Sequence, residues 1–287
     1  MSPMTQPEPY AEGPTFTLYQ GDALAVLASL PTGSVDAVVT DPPYSSGGMV
    51  RSDRAGQSTV AKYVTTQNTR ADELADFSGD NRDQRGYAYW SALWLGEALR
   101  VTRPGGVVLM FCDWRQLPAT TDALQAGGWV WRGVVPWHKP ASRPHSGRFS
   151  NECEYVAWGS HGAMPNDWTL PTFPGFYSVS PPPSSRREHI TEKPLVLMRE
   201  LVKIVPRGGT ILDPFTGAGT TGAAAVIEGR RFIGSEITPH FARVSSIRIA
   251  RAAGSYVEPD EQHGLFSDEA AAPTRYADRF YREPEPQ

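Results

Sequence analysis

Short apolar runs alternate along this chain with stretches in which apolar residues recur every three or four positions. The runs 35–40, 106–112, 129–137, 155–158, 210–213 and 231–236 are rich in β-branched and aromatic residues and predict strands. The stretches 23–30, 87–101, 116–126, 194–205, 220–228 and 239–253 carry the longer period and predict helices. Gly105-Gly106 and Gly208-Gly209 each stand between a predicted helix and the strand after it, where a chain reversal needs glycine. Regular strand–helix alternation predicts an α/β fold, a doubly wound and mostly parallel sheet with helices on both faces.

Two segments interrupt this rhythm. Residues 45–86 are polar and hold few large apolar side chains, and residues 161–187 are rich in proline, with Pro181-Pro182-Pro183 in succession. Loops of that length inside a domain are usually functional or unstructured. Both ends are proline- and acid-rich. The expected organisation is therefore a disordered start (1–14), one domain over 15–253 and a disordered acidic tail (254–287).

Composition alters this picture in one respect. The 287 residues are 40% hydrophobic and 20% charged, ordinary for a folded protein, and the net charge is −4. Taken as an average, that argues against a protein that coats nucleic acid by charge alone. The tail, however, holds eight acids and only three bases, so the rest of the chain is slightly positive. Two cysteines, Cys112 and Cys153, are too few for a disulfide scaffold and suit a reducing cytoplasm. No stretch has the pattern of a signal peptide or a membrane span, and no histidine spacing suggests a metal.

The first candidate for chemistry is Asp41-Pro42-Pro43-Tyr44, placed where the 35–40 strand ends. In an open parallel sheet, the loops at the carboxyl ends of strands are where ligands bind. Two prolines stiffen the turn and free their carbonyls to face outwards. One carboxylate, an outward carbonyl and an aromatic face suit a planar ring that bears an amino group. The competing interpretation is a proline-stiffened turn with Tyr44 packed for shape.

A second strand runs into a glycine turn and a helix at Asp213-Pro214-Phe215-Thr216-Gly217-Ala218-Gly219-Thr220. Glycine lets a ligand approach the backbone closely, although tight strand–helix turns also need it for purely structural reasons. The turn is no P-loop, because no Lys-Ser/Thr pair follows it, and it lacks the full dinucleotide fingerprint. Some twenty residues later the next strand ends at Glu236, an acid placed to meet ribose hydroxyls.

Together these motifs resemble the amino-group DNA methyltransferases that use S-adenosylmethionine, in the circularly permuted β-class order where the catalytic motif precedes the cofactor motif. The resemblance extends over most of 16–253. It includes Gly21-Asp22, the 99–106 helix–turn, the segments 135–140 and 151–158, and His189-Ile190-Thr191-Glu192-Lys193-Pro194. It implies a Rossmann-like methyltransferase fold. By resemblance, Asp41, Pro42, Pro43 and Tyr44 form the catalytic motif that holds a flipped base, adenine N6 being favoured and cytosine N4 the alternative. Asp213, Phe215, Gly217, Gly219 and Thr220 cradle the methionine part of the cofactor, Lys193 lies near its carboxylate, Glu236 meets the ribose and Asp22 forms an acidic turn nearby. Thr238 and His240 depart from the residues common in the family. An RNA-base methyltransferase and a non-catalytic cofactor-binding DNA reader are the other readings.

Double-stranded DNA is the expected partner. Arg132, Lys139, Arg143 and Arg148, with His138 and His145, form a basic cluster suited to phosphates, while a merely solvated charged face is the competing expectation. The proline-rich segment lies where the family places target recognition. In the tail, Gln262, Leu265 and Phe266 resemble the short peptides by which bacterial DNA enzymes dock on the sliding clamp, against simple disorder as the alternative.

Overall fold

The computed structural model of the chain describes residues 7–44, 82–140, 146–147, 149–165, 171–181 and 192–256. In chain order these form β1 (Ala11–Gly13), β2 (Phe16–Gln20), α1 (Ala23–Ser29), β3 (Val35–Thr40), α2 (Gln84–Val101), β4 (Thr102–Cys112), α3 (Leu117–Ala126) and β5 (Val130–His138). There follow β6 (Cys153–Ser160), β7 (Tyr177–Ser178), α4 (Leu195–Leu201) with a 3₁₀ turn over Val202–Ile204, β8 (Thr210–Asp213), α5 (Thr220–Ile227), β9 (Arg231–Glu236) and α6 (Pro239–Ala252).

Among the described residues one sheet holds nine strands in the order β1-β2-β9-β8-β3-β4-β6-β5-β7. The five neighbours from β2 to β4 are parallel, and β6 runs against both β4 and β5. Because strand side chains alternate, the central strands feed two cores. Val107, Leu109 and Phe111 of β4 pack with Leu197, Met198 and Leu201 of α4, Ala224 of α5 and Ile249 of α6. Val108 and Met110 face the other way, onto Trp94, Leu95 and Ala98 of α2 and Leu124 of α3. Each such buried Leu or Phe contributes roughly 1.5–3 kcal/mol over its exposed state. The predicted doubly wound, mostly parallel architecture is the one observed.

The connections fix where a ligand can sit. From β3 the chain crosses through α2 to β4 on one side, and from β8 it crosses through α5 to β9 on the other. The two crossovers leave adjacent strands in opposite directions and cover opposite faces of the sheet. Their divergence opens a crevice at the carboxyl ends of β3 and β8, the topological switch point of this fold.

Several boundaries differ from the sequence reading. Three strands, β1, β2 and β7, were not predicted. In β2 the signal was the alternation of buried Phe16 and Leu18 with half-buried Thr17 and Tyr19. β7 pairs with β5 inside the proline-rich segment, so part of 161–187 is sheet edge rather than loop. The polar segment ends early as well: Asp83 caps α2, its carboxylate accepting the Gly86 N–H at 2.7 Å. No helix of the described residues is long and apolar enough to cross a membrane. Residues 45–81, Arg143, Arg148 and the tail from 257, with Gln262, Leu265 and Phe266, lie outside the described residues.

Candidate active site

Four parallel strands end at the crevice, and each delivers one group. β3 ends at Thr40 and hands over Asp41; β8 ends at Asp213; β9 ends at Glu236; β2 ends before Gly21-Asp22. Register places them together, since Gln20 pairs with Glu236, and Asp213 with Gly234 two residues before it. The Gly21 N–H also donates to the Glu236 carbonyl at 2.9 Å. Positions 22, 41, 213 and 236 therefore share one edge of the sheet.

Asp213 is the most constrained of these. It is 1% exposed, accepts the Thr40 hydroxyl at 2.7 Å and the Phe215 N–H at 3.0 Å, and is hydrogen-bonded by Thr221. Burial outweighs those donors and pushes its carboxyl up to about 6. Thr40 thus ties the end of β3 to the end of β8. Behind this pair, the Phe215 ring packs on Trp90 and Trp94, with centroids 5.4 and 5.2 Å away. Trp94 is core, whereas Trp90 is only partly buried and packs on Phe215.

The glycine turn divides into two functions. At Gly217 (φ +50°) an added Cβ would come no closer than 4.0 Å to another atom, so space lies open before the backbone. At Gly219 (φ +84°) a Cβ would stand 2.9 Å from Ser245 of α6, so here the absent side chain makes room for a helix. Thr220 is likewise engaged within the fold, receiving Arg248 at 3.1 Å. Glu236 accepts the Gly217 N–H at 2.9 Å and the Thr238 N–H at 2.9 Å, together with the Thr238 hydroxyl. A carboxylate offers about four acceptor positions, which leaves room for a ligand hydroxyl. Open space over Gly217 beside an acceptor of hydroxyls fits an adenosine cofactor.

Asp41 sits in a cluster of charges that sequence reasoning did not assemble. The Lys193 ammonium, 5% exposed, is 2.6 Å from Asp41 Oδ2 and 3.4 Å from Glu154 Oε2. Glu154 Oε1 in turn is 2.8 Å from Lys139 Nζ. Burial pulls the Lys193 pKa down, but Asp41 and Glu154 more than compensate and hold it above the ordinary lysine value. Burial likewise pushes Glu154 up, and Lys193 and Lys139 overcome that to hold it below the usual carboxylate range. The ammonium lies 5.7 Å from the Tyr44 ring centroid. Lys193, expected near a cofactor carboxylate, is thus committed to Asp41 and Glu154. Asp22, expected at the cofactor, caps α1 by accepting the Leu24 and Ala25 N–H groups.

Of the basic cluster expected over 132–148, Arg132 and Lys139 do not share one patch. Lys139 lies at the crevice edge and is paired with Glu154. Arg132 lies towards the other end of β5, roughly 20 Å away at a rise of about 3.3 Å per residue, bonded to Ser160 Oγ and the Gly162 carbonyl. Cys112 is buried, and burial pushes its thiol up to about 12, which leaves it unreactive.

Comparison with known proteins matches this architecture. The chain is 28% identical over 254 residues to YubD of Escherichia coli K12, covering 88% of this chain and 98% of that one. Its fold resembles TTHA0409 of Thermus thermophilus, complexed with S-adenosyl-L-methionine (TM-score 0.56, 23% identity, 83% and 96% of the two chains). It also resembles the cytosine-N4-specific PvuII DNA methyltransferase (TM-score 0.61, 19% identity, 84% and 89%). A family model described as DNA methylase matches residues 35–179 and 166–247, a span that contains both strand-end motifs and the charge cluster between them. With its crevice and its sequence in agreement, the chain belongs to this family of N6-adenine and N4-cytosine DNA amino-methyltransferases, whose methyl donor is S-adenosylmethionine.

Proposed function

We propose that the protein methylates the exocyclic N6 of adenine in double-stranded DNA, acting on a base flipped out of the helix. The observation that carries this reading is Asp41. Its carboxylate stands at the crevice end of β3, oriented by Lys193 at 2.6 Å, in an Asp-Pro-Pro-Tyr turn of the form that favours adenine.

An exocyclic amine is a weak nucleophile because its lone pair is delocalised into the ring. Asp41 and the Pro42 carbonyl accept its two N–H groups, which favours a pyramidal nitrogen and localises the lone pair. Pro43 keeps the turn stiff, and Tyr44 stacks on the extruded base in place of its lost neighbours. S-adenosylmethionine supplies an electrophilic methyl group on a sulfonium sulfur. Phe215 and the backbone at Gly217 hold that cofactor, Glu236 accepts its ribose hydroxyls, and Asp22 and Asp213 line the same edge. Gly219 and Thr220 support it from behind by fixing the start of α5. Most of the acceleration is positioning and preorganised electrostatics. Lys139, with Arg143 and Arg148, is assigned to the DNA backbone; Arg132, at the far end of β5, is not.

Incubation with methyl-labelled cofactor and DNA, then digestion to nucleosides, tests this directly. Label in N6-methyl-2′-deoxyadenosine is the expected result. Label in N4-methylcytosine, the product of the PvuII enzyme type that shares this fold, would assign the other base. Normal transfer by Asp41→Ala would overturn the site itself.

A further inference from the structure

We propose that Glu154 is a positioning residue for methyl transfer, sharing Lys193 so that the Asp41 carboxylate is held in place yet stays a strong acceptor for the base amine. This rests on the assignment of Asp41 given above.

Glu154 reaches the crevice because β6 is reversed. Because β6 runs against β4 and β5, its amino end lies beside their carboxyl ends, with Tyr155 opposite Cys112 and Glu154 opposite Trp137. The carboxylate then bridges two cations, Lys139 at 2.8 Å and Lys193 at 3.4 Å, and is 17% exposed. Lys193 passes the contact on to Asp41 at 2.6 Å, so the two carboxylates stand within about 6 Å of each other across one ammonium. The four charges, two of each sign, balance. The same ammonium faces the rings of Tyr44 and Phe111 at 5.7 and 5.1 Å, so its position registers both the acceptor and the aromatic of the catalytic turn.

The consequence of losing Glu154 follows from charge. Of its two ion pairs among the described residues, Lys193 would then keep only the one to Asp41. Asp41 would be drawn onto it and would become a weaker acceptor for the amine. Its affinity for protons would fall too, since a neighbouring negative charge had been removed. Among the described residues, other ionisable groups that face these carboxylates are Asp213 on β8, Cys112 at the end of β4 and Asp113 just beyond it. All three are acids, so none supplies a positive charge.

Steady-state methylation by Glu154→Gln should show kcat reduced by at least about tenfold, with cofactor affinity unchanged by calorimetry. The acid limb of its kcat profile should move down by about one pH unit. Glu154→Gln/Lys139→Gln, which removes the surplus cation, should regain part of the lost kcat at saturating DNA, while its KM for DNA rises because Lys139 is also assigned to the DNA backbone. Glu154→Asp keeps the charge and should keep the acid limb in place, which separates the charge from folding effects. Wild-type kcat in Glu154→Gln, or a loss of rate with an unmoved acid limb and no recovery in the double variant, would overturn the inference. Asp41→Asn run alongside separates the two claims. Turnover by Asp41→Asn refutes the assignment of Asp41, whereas an inactive Asp41→Asn beside a fully active Glu154→Gln refutes only the role of Glu154.

Discussion

Asp213 holds its charge in the fold at a cost that can be measured. Its carboxyl is 1% exposed, and burial raises it from an ordinary 3.8 to about 6. The folded value lies above the unfolded one, so the native state binds the proton more tightly. Stability from this group is complete below pH 3.8 and is lost as pH rises through 6. About two pKa units at 1.36 kcal/mol each make the penalty about 3 kcal/mol above pH 7. Asp213→Asn removes the ionisation while keeping the shape. Its Oδ1 can accept Thr40 and Phe215 as before, and its amide can donate to the Thr221 hydroxyl. The variant should therefore match the wild type near pH 4 and exceed it by about 3 kcal/mol at pH 8, or roughly 6–12 °C in Tm for a domain of this size. Urea unfolding of both proteins across pH 4.5–8 isolates the group, because every other titration cancels in the difference. A difference that does not change with pH, or a variant less stable than wild type at pH 8, would refute the reasoning. Cofactor binding should weaken in the variant even as stability rises, as expected of a strained functional carboxylate.

Two further outcomes follow from the same edge of the sheet. Gly219→Ala places a Cβ 2.9 Å from Ser245 in a left-handed backbone at φ +84°, and should destabilise thermal unfolding by about 2–4 kcal/mol; an unchanged Tm would show that α6 yields freely. Near pH 6, S-adenosylmethionine should release protons from Asp213 on binding, and its demethylated product, which lacks the sulfonium cation, should release fewer. Calorimetry in buffers of different ionisation enthalpy measures both, and equal release by the two ligands would exclude coupling to that charge.

Asp41 and Asp213 were legible in the sequence because each ends an apolar strand and is followed by residues with a fixed backbone meaning, proline in one case and glycine in the other. The switch point was legible for the same reason: strands and helices alternate in regular order. The charge cluster was not. Lys193 and Asp41 are separated by 152 residues, and the pairing of Lys139 with Glu154 depends on the direction of β6. An apolar run predicts a strand but carries no mark of whether it runs with or against its neighbours. Gly219 shows a second limit. A ligand and a packed helix both require the absence of a side chain, so the glycine turn alone could not tell them apart. The basic cluster shows a third, since seven residues of strand put Arg132 and Lys139 near opposite ends of β5 although they are close in sequence.

The segment before α4 explains how a permuted chain still builds one site. Glu192 and Lys193 are consecutive, yet they serve opposite halves of the crevice. Glu192 pairs with Arg248, whose guanidinium also holds the Ala218 carbonyl and the Thr220 hydroxyl of the glycine turn after β8. Lys193 pairs with Asp41 of the proline turn after β3. Pro194 makes this division possible. A residue before proline is confined to extended backbone, where neighbouring side chains point to opposite sides. The same proline (φ −61°, ψ 128°) is the cap from which α4 begins, and α4 buries Leu197, Met198 and Leu201 in the core beneath β4. The dipeptide is therefore fixed at one end by a helix anchored in the core and reaches both turns from there. What the site requires is that β3 and β8 lie side by side with this tie between them, and that condition is independent of which motif the chain reaches first.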